Sequence, residues 1–594
     1  MPQFIQKIKP MIHKSKSIPM RKHIQNIFLV LVLLNITIGF SQRKENDTLE
    51  TGVIDVVKPY VPTVSDAFKV KESPALDDET TDTKKEIQYN IFSFPVASTF
   101  TPSKGNAELL QRKKREKLYD NYASLGGGSF RTVLAEAYVS KMLSRSESVG
   151  GYLSHHSSKG GIEDALVPNS FSNSKINLNY NSQLRDLAWG IEGGFQHQYY
   201  NWYGIPEPIA SDDILVYYLD VGHSFYDGFI GGDVTFEDSY LKSGNVLMRR
   251  FFDNNGSTEN RIVLDGQFDI PISYSEVSTT FKFDYLSGDF DRSYNVDELY
   301  EYSNFQATIA PTFELNEGDF SFNLGAAVTY FNDTVAGEGK FYFYPNVLAS
   351  YQFVDGLLMA YGGVTGELQQ NSYRDFANEN PFVSPTLTIA PTNQAFNAFV
   401  GVKGKLASNV SYDVSGRYIS DKNKALFKAN TIKDISGSRD YEYGNSFGVV
   451  YDDVTAFGIS GALNVDLVRN LELGLKAEYF IYNTDAEAEA WNLPSLNGSL
   501  FGNYQIDEHW FAGANIYFMG QRKDEKSLES TGSEETVDVD GYFDINIHGG
   551  YHINDQLSLF IKMNNLTNNK YQRWQTYQVQ PFQILGGATY KFGI

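Results

Sequence analysis

From about residue 128 to its end, this chain alternates apolar and polar residues with a period of two, and that alternation restricts its possible folds more than any other feature. In the terminal segment, Phe582, Ile584, Gly586, Ala588, Tyr590 and Phe592 share one face, while Gln583, Leu585, Gly587, Thr589 and Lys591 share the other. The same sorting sets Leu471, Leu473, Leu475, Tyr479 and Ile481 against Glu472, Lys476 and Glu478. It also sets Phe543, Ile545, Ile547 and Tyr551 against Asp544, Asn546, His548 and His552, and Ile262, Leu264 and Phe268 against Asp265, Gln267 and Asp269. These are strands with one apolar and one polar side.

Short and long connections alternate between such segments. The short ones fall near LSRSES (143–148), QLRD (183–186), FYDG (225–228), PISYSE (271–276), LNEGD (315–319), FVDG (353–356), LASN (406–409), VRN (468–470), IDEH (506–509) and INDQ (553–556). The long ones include SSKGGIEDALVPNSFS, LKSGNVLMRRFFDNNGSTEN and QRKDEKSLESTGSEETVDV. Ten hairpin junctions, the strand ending near Met142 and a partner before it give about 22 strands (20–22), with Gln88–Phe100 as the candidate for that first partner. Short turns on one side and long loops on the other are the habit of outer-membrane barrels, whose short turns face the periplasm.

Composition agrees. Aromatic residues make up 14% of the chain, yet mean hydropathy is −0.33 and 21% of residues are charged, which excludes a bundle of apolar spanning helices. A barrel whose lipid-facing and lumen-facing residues alternate has this balance. The expected fold is therefore all-β: a closed antiparallel transmembrane β-barrel over residues 128–594, with a short N-terminal periplasmic or lumenal segment. With no Cys there is no disulfide framework, thiolate metal site or cysteine nucleophile. The formal charge of −22 becomes −28 once the six basic residues of positions 1–41 are set aside, which argues against a nucleic-acid partner.

Residues 1–41 read as a signal peptide, with basic Arg21 and Lys22, an apolar run from Ile27 to Leu34, and cleavage expected after Ser41. The run is shorter than a spanning helix requires, and Met20 is an alternative start. Residues 42–127 are acidic and Thr-rich in places, with a basic patch at RKKREK (112–117), and are expected to occlude the lumen in part or to lie in the periplasm.

The stretch from Asp540, "DGYFDINIHGGYHINDQLSLFIKMNNLTNNKYQRW…GGATYKF", resembles the end of a TonB-dependent receptor barrel, with the NL-x-N-x-x-Y element at Asn565, Leu566, Asn568 and Tyr571. Gly587, Tyr590 and Phe592 are similar to that family's G-x-x-aromatic-x-Phe signal, which implies the barrel-assembly machinery as a partner; here Gly593 and Ile594 extend the usual final Phe. "GGGSFRTVLAEAYVS…GGYLSHHSSKGG" similarly resembles the first barrel strands of such receptors of the Bacteroidota type. "DTLETGVIDVVKPY" is similar to a TonB box, with Thr51, Val53, Ile54, Val56 and Val57 matching, and implies TonB as a partner. The family's plug domain is usually well over a hundred residues with Gly- and Arg-containing motifs, and residues 42–127 carry no recognisable full plug.

Little else carries chemistry. His155 and His156 are neighbours in a strand and point to opposite sides, while His548 and His552 lie roughly 13 Å apart at about 3.3 Å per residue. No metal site, cofactor or catalytic residue is assigned, because the Gly-rich stretches lack a following GK[ST] and no G-x-S-x-G stands in its strand-turn-helix setting. The chain is not expected to be an enzyme. Glu472, Lys476, Glu478, Asp544 and His548 are the candidate lumen-facing residues. The expected function is ligand binding and uptake across the outer membrane, in contact with its lipid, the ligand being unidentified. A passive porin-like channel and a non-transporting component of an outer-membrane complex are the alternatives.

Overall fold

The computed structural model describes residues 119–593, apart from 273–274, 434–437, 469 and 529–532. Twenty-two strands form one closed antiparallel sheet in which each pairs with its neighbours along the chain. The first, Asn121–Gly128, pairs with the last, Gln583–Phe592, in the register Asn121↔Phe592 through Gly128↔Leu585. Closure of this kind is what a sheet in hydrocarbon requires, since each unpaired backbone group there costs several kcal/mol. No helix among the described residues is long and apolar enough to cross a membrane.

The outward faces are apolar and exposed over much of the wall, with Leu125, Phe341, Phe343, Val400, Leu475, Tyr479, Ile481, Phe543 and Ile584 among them. A closed barrel with an apolar outer wall is the architecture of an integral outer-membrane protein. The strands differ greatly in length: Asn121–Gly128 has 8 residues and Gln583–Phe592 has 10, whereas Val410–Ala429 has 20 and Phe447–Val468 has 22. The wall is therefore lowest where the sheet closes on itself.

Nine of the ten short connections stand where the alternation sets them. The exception is FYDG, which lies inside the continuous strand Gly222–Phe236; the short turn falls instead at residues 237–240. An Asp-Gly pair is a strong turn signal, but Asp227 faces inward and is held by Arg249 at 3.0 Å and Arg374 at 2.6 Å, so it is a strand residue with ion-pair partners. The stretch LKSGNVLMRRFFDNNGSTEN is correspondingly no loop: it contains the strand Leu241–Asp253, a tight turn, and the start of Thr258–Ile272.

The barrel also begins earlier than residue 128. Gln88–Phe100 lies outside the described residues, and the place beside the last strand is taken by Asn121–Gly128, which pairs with Thr132–Met142 on its other side. Three consecutive glycines hide this strand's alternation, and the geometry explains them. A Cβ on Gly128 would stand 2.1 Å from the Ile584 carbonyl oxygen and 2.7 Å from the Leu585 Cα. Gly126 and Gly587, which are paired, leave room for the Phe560 ring, which lies 3.0 Å and 2.4 Å from their respective ideal Cβ positions.

Gly128→Val should therefore prevent closure. On refolding into detergent micelles the variant should lose the heat-modifiable folded band on electrophoresis, whereas Gly593→Val, with nothing within 4 Å, should keep it.

Candidate functional site

The polar residues singled out on the strands stand on the face opposite the exposed apolar residues of their strands, such as Leu475 and Phe543, but do not converge. Lys476 and Glu478 pair at 3.0 Å on Leu471–Thr484, with Glu472 on the same face. Asp544 accepts a 3.0 Å hydrogen bond from Asn546, and His548 lies against Gly513, on Tyr542–His552, separated from the first group by two strands. Of Gly587, Tyr590 and Phe592, Tyr590 is exposed on the outer wall and its ring stacks on Phe592 at 5.9 Å, while Gly587 lies at the closing pair of strands. Thr51, Val53, Ile54, Val56 and Val57 lie outside the described residues. His155 bonds Ser174 and Ser157 at 2.8 and 3.0 Å.

The convergence of side chains occurs elsewhere, at the long-loop end, where several loops pack onto one another and onto the inner wall. Residues 370–391 carry the helix Tyr373–Glu379, capped by Ser372, whose hydroxyl accepts from the Asp375 amide at 3.1 Å. That cap aims Tyr373 inward against Phe225, Phe251 and Phe290. The wall supplies the polar partners: Glu259 accepts from the Tyr373 amide at 2.7 Å and the Tyr302 hydroxyl at 2.8 Å, and Asp253 accepts from the Tyr373 hydroxyl at 2.7 Å.

Charges close the underside of this loop. Arg374 joins Arg249 on Asp227, and Arg261 donates to Asp284 at 2.6 and 2.9 Å while reaching Asp375 at 3.4 Å. Arg249, Arg261, Arg374, Glu259 and Asp375 border a cavity of about 130 Å³. Partly buried pairs of this kind are held by geometry, and removal of one partner leaves a charge without compensation at a cost of about 3–5 kcal/mol.

Four further loops complete the cover. His223, stacked on Trp202 at 4.0 Å, bonds the Pro381 carbonyl at 2.7 Å. Phe382 stacks on Tyr577 at 3.7 Å, and the Tyr577 hydroxyl donates to the Asn445 carbonyl. Asn445 in turn donates to the Trp202 carbonyl at 3.0 Å, and Tyr203 donates to the Gln578 carbonyl at 2.8 Å. Loops at residues 202–221, 370–391, 438–446 and 565–582 are thus stitched to one another. The hairpin of Arg522–Leu528 and Ser533–Val539 joins them through Asp524, which accepts from the Ala429 amide at 3.0 Å and from Asn492 at 2.8 Å. Burial pushes the Asp524 carboxyl up to about 6 against these hydrogen bonds.

Each fully buried large apolar side chain contributes roughly 1.5–3 kcal/mol, so Tyr373, Phe376, Phe382 and Tyr577 alone hold the cover well beyond thermal energy. The NL-x-N-x-x-Y element serves the same region: buried Asn565 bonds the carbonyls of Asn569 and Gln580 at 2.9 and 3.0 Å, and Tyr571 stacks on Tyr542 at 3.9 Å. Sequence reasoning missed the cover, although a signal existed. Loops that meet only water do not keep Trp202, Tyr203, Phe376, Phe382, Tyr441, Trp574 and Tyr577.

No family model matches the chain, and no curated relative matches it. Solved structures do. The iron transporter FrpB from Neisseria meningitidis aligns with a TM-score of 0.61 at 11% identity, over 80% of this chain and 82% of that one. The siderophore receptor PirA from Acinetobacter baumannii aligns at 0.60 and 13% identity, over 80% of each chain. The ferripyoverdine receptor of the outer membrane of Pseudomonas aeruginosa aligns at 0.57 and 14%, over 81% of this chain and 73% of that one. These likenesses are of fold, and the proteins they name are receptors and a transporter.

Two outcomes follow from the cover. Arg374→Ala should raise amide exchange across residues 372–389 by at least about tenfold while leaving the strands protected, because the loop loses its ion-pair tie to Asp227 on the wall. The Asp524 hairpin should loosen as pH rises. Its carboxyl keeps a proton in the fold up to about 6, above the ordinary 3.8 of an aspartate, so the folded state binds more protons between those values and stability falls across that window. Exchange in residues 522–528, corrected for intrinsic rate, should increase from pH 4 to pH 7, and Asp524→Asn should flatten the change.

Proposed function

We propose that this protein is a gated import receptor, similar to TonB-dependent receptors, which takes a ligand from the long-loop side and passes it through the barrel. The loop cover over the mouth is the observation that carries this reading. A 22-strand barrel encloses a lumen wide enough to leak unless it is occluded, and interlocked aromatic loops tied to the wall by ion pairs suit a gate better than an open pore. In this reading the N-terminal segment, through Thr51, Val53, Ile54, Val56 and Val57, engages TonB as an added strand, and that partner supplies the energy for release. Cargo then moves along the polar inner face, past Glu472, Lys476, Glu478, Asp544 and His548. The fold likeness to an iron transporter and siderophore receptors supports iron chelates as the first cargo class to try. The role is transport without catalysis.

Planar-bilayer recording tests the gate. The intact purified chain should show no large steady conductance, and deletion of residues 373–389 should produce one; a large steady conductance from the intact chain would establish a passive channel instead. Uptake of a panel of radiolabelled ferric siderophores by cells whose only such receptor is this chain tests the energised step. Deletion of residues 48–57 should abolish uptake with the folded barrel still present in the membrane, and undiminished uptake would remove TonB from the account.

A further inference from the structure

Leu566, in the NL-x-N-x-x-Y element, is exposed although its neighbour Asn565 is buried. Its side chain borders an open crevice of about 550 Å³ together with Phe130, Pro581, Phe582, Glu163 and Asn568. The volume lies in the range of small-molecule sites, and four of the six lining residues are apolar. We propose that this crevice binds an acyl chain of a membrane lipid.

The position of the crevice selects that occupant. It opens at the upper end of the two closing strands, the tip at residues 129–131 on one side and Pro581–Phe582 on the other. At about 3.3 Å per residue and a tilt of 35–45°, the 8 residues of the first strand rise roughly 20 Å and the 10 of the last roughly 25 Å, no more than the roughly 25 Å of an outer-membrane barrel's apolar band. The crevice is therefore at the upper edge of the acyl layer. Its wall continues the lipid-facing surface downward through exposed Phe582, Ile584 and Leu125. Most other long loops stand on longer strands, up to the 20 and 22 residues of Val410–Ala429 and Phe447–Val468, so this low wall is where loop residues come down toward the acyl chains.

The crevice is also built rather than left over. Phe130 and Arg131 have φ of 56° and 55°, a left-handed conformation that bulky residues seldom adopt. Phe130 is clamped in it by its carbonyl, which accepts from the Lys159 amide at 2.9 Å, and by its ring lying over Gly161, where a Cβ would stand 2.3 Å away. Opposite, the Asn568 side chain accepts from the Phe582 amide at 2.9 Å and fixes the other wall. Glu163 pairs with Lys570 at 3.1 Å beside the opening, which places charged groups at the level of a lipid headgroup.

Native mass spectrometry of the full chain, extracted into mild detergent from outer membranes, tests the assignment. The wild type should retain a lipid of acyl-chain mass. Leu566→Trp, which fills the crevice, and Phe582→Ser, which removes an apolar wall, should each reduce the retained fraction about tenfold. Phe343→Trp, on the exposed belt elsewhere, should leave it unchanged, and the heat-modifiable band reports folding for all three. Equal retention in the wild type and in whichever crevice variants fold, absence of lipid from the wild type, or an equal loss in Phe343→Trp would overturn the proposal.

Discussion

In hydrocarbon a backbone amide or carbonyl has no water to fall back on, so every one along the wall must find a partner on a neighbouring strand. That demand is met last at one place, where Asn121–Gly128 meets Gln583–Phe592. The rest of the structure depends on it. The strand that completes the sheet is short and rich in glycine because the two strands approach closely there, and the short pair leaves the wall low. Buried Thr589 donates to Ser124 at 3.0 Å across the join, so the seam carries a side-chain bond in addition to its ladder.

A closed barrel of this size creates a second problem, a wide polar lumen. The protein meets it at the long-loop end with aromatic side chains, whose burial is non-directional, and with carboxylate and guanidinium groups, whose pairing fixes register. Asp227 and Glu259 reach from the wall to Arg374 and to the Tyr373 amide, and Arg261, held by Asp284, reaches Asp375 of the same loop. Apolar contacts hold the cover shut, and the ion pairs determine which loop sits where. An arrangement of this kind opens only when another interaction competes for it, which is the physical basis for reading it as a gate.

Much of the wall was legible in the sequence, because a period of two survives local irregularity and lipid outside with water inside makes it strict. The strands around Leu475 and Ile547 could be sided from pattern alone. Two features defeated that reading. Asp227-Gly228 carries turn chemistry, but its carboxylate is used by Arg249 and Arg374, the latter 147 residues away in sequence. Asn121–Gly128 has too few side chains to display a face, so the more aromatic Gln88–Phe100 looked the better strand. The cover was the least legible part, since its contacts join residues such as Tyr203 and Gln578 that no local pattern connects. Excess aromatics in the long loops were the available sign.

The seam is the claim on which the account stands, and the absence of cysteine from the chain makes it directly measurable. Ser124→Cys with Thr589→Cys places two thiols on facing residues of the first and last strands, within the reach that a disulfide requires. In folded protein in the membrane, mild oxidation should link them in a single chain, giving a faster-migrating species on denaturing, non-reducing electrophoresis. Two thiols that stay fully alkylatable in folded barrels after oxidation would contradict closure by Asn121–Gly128.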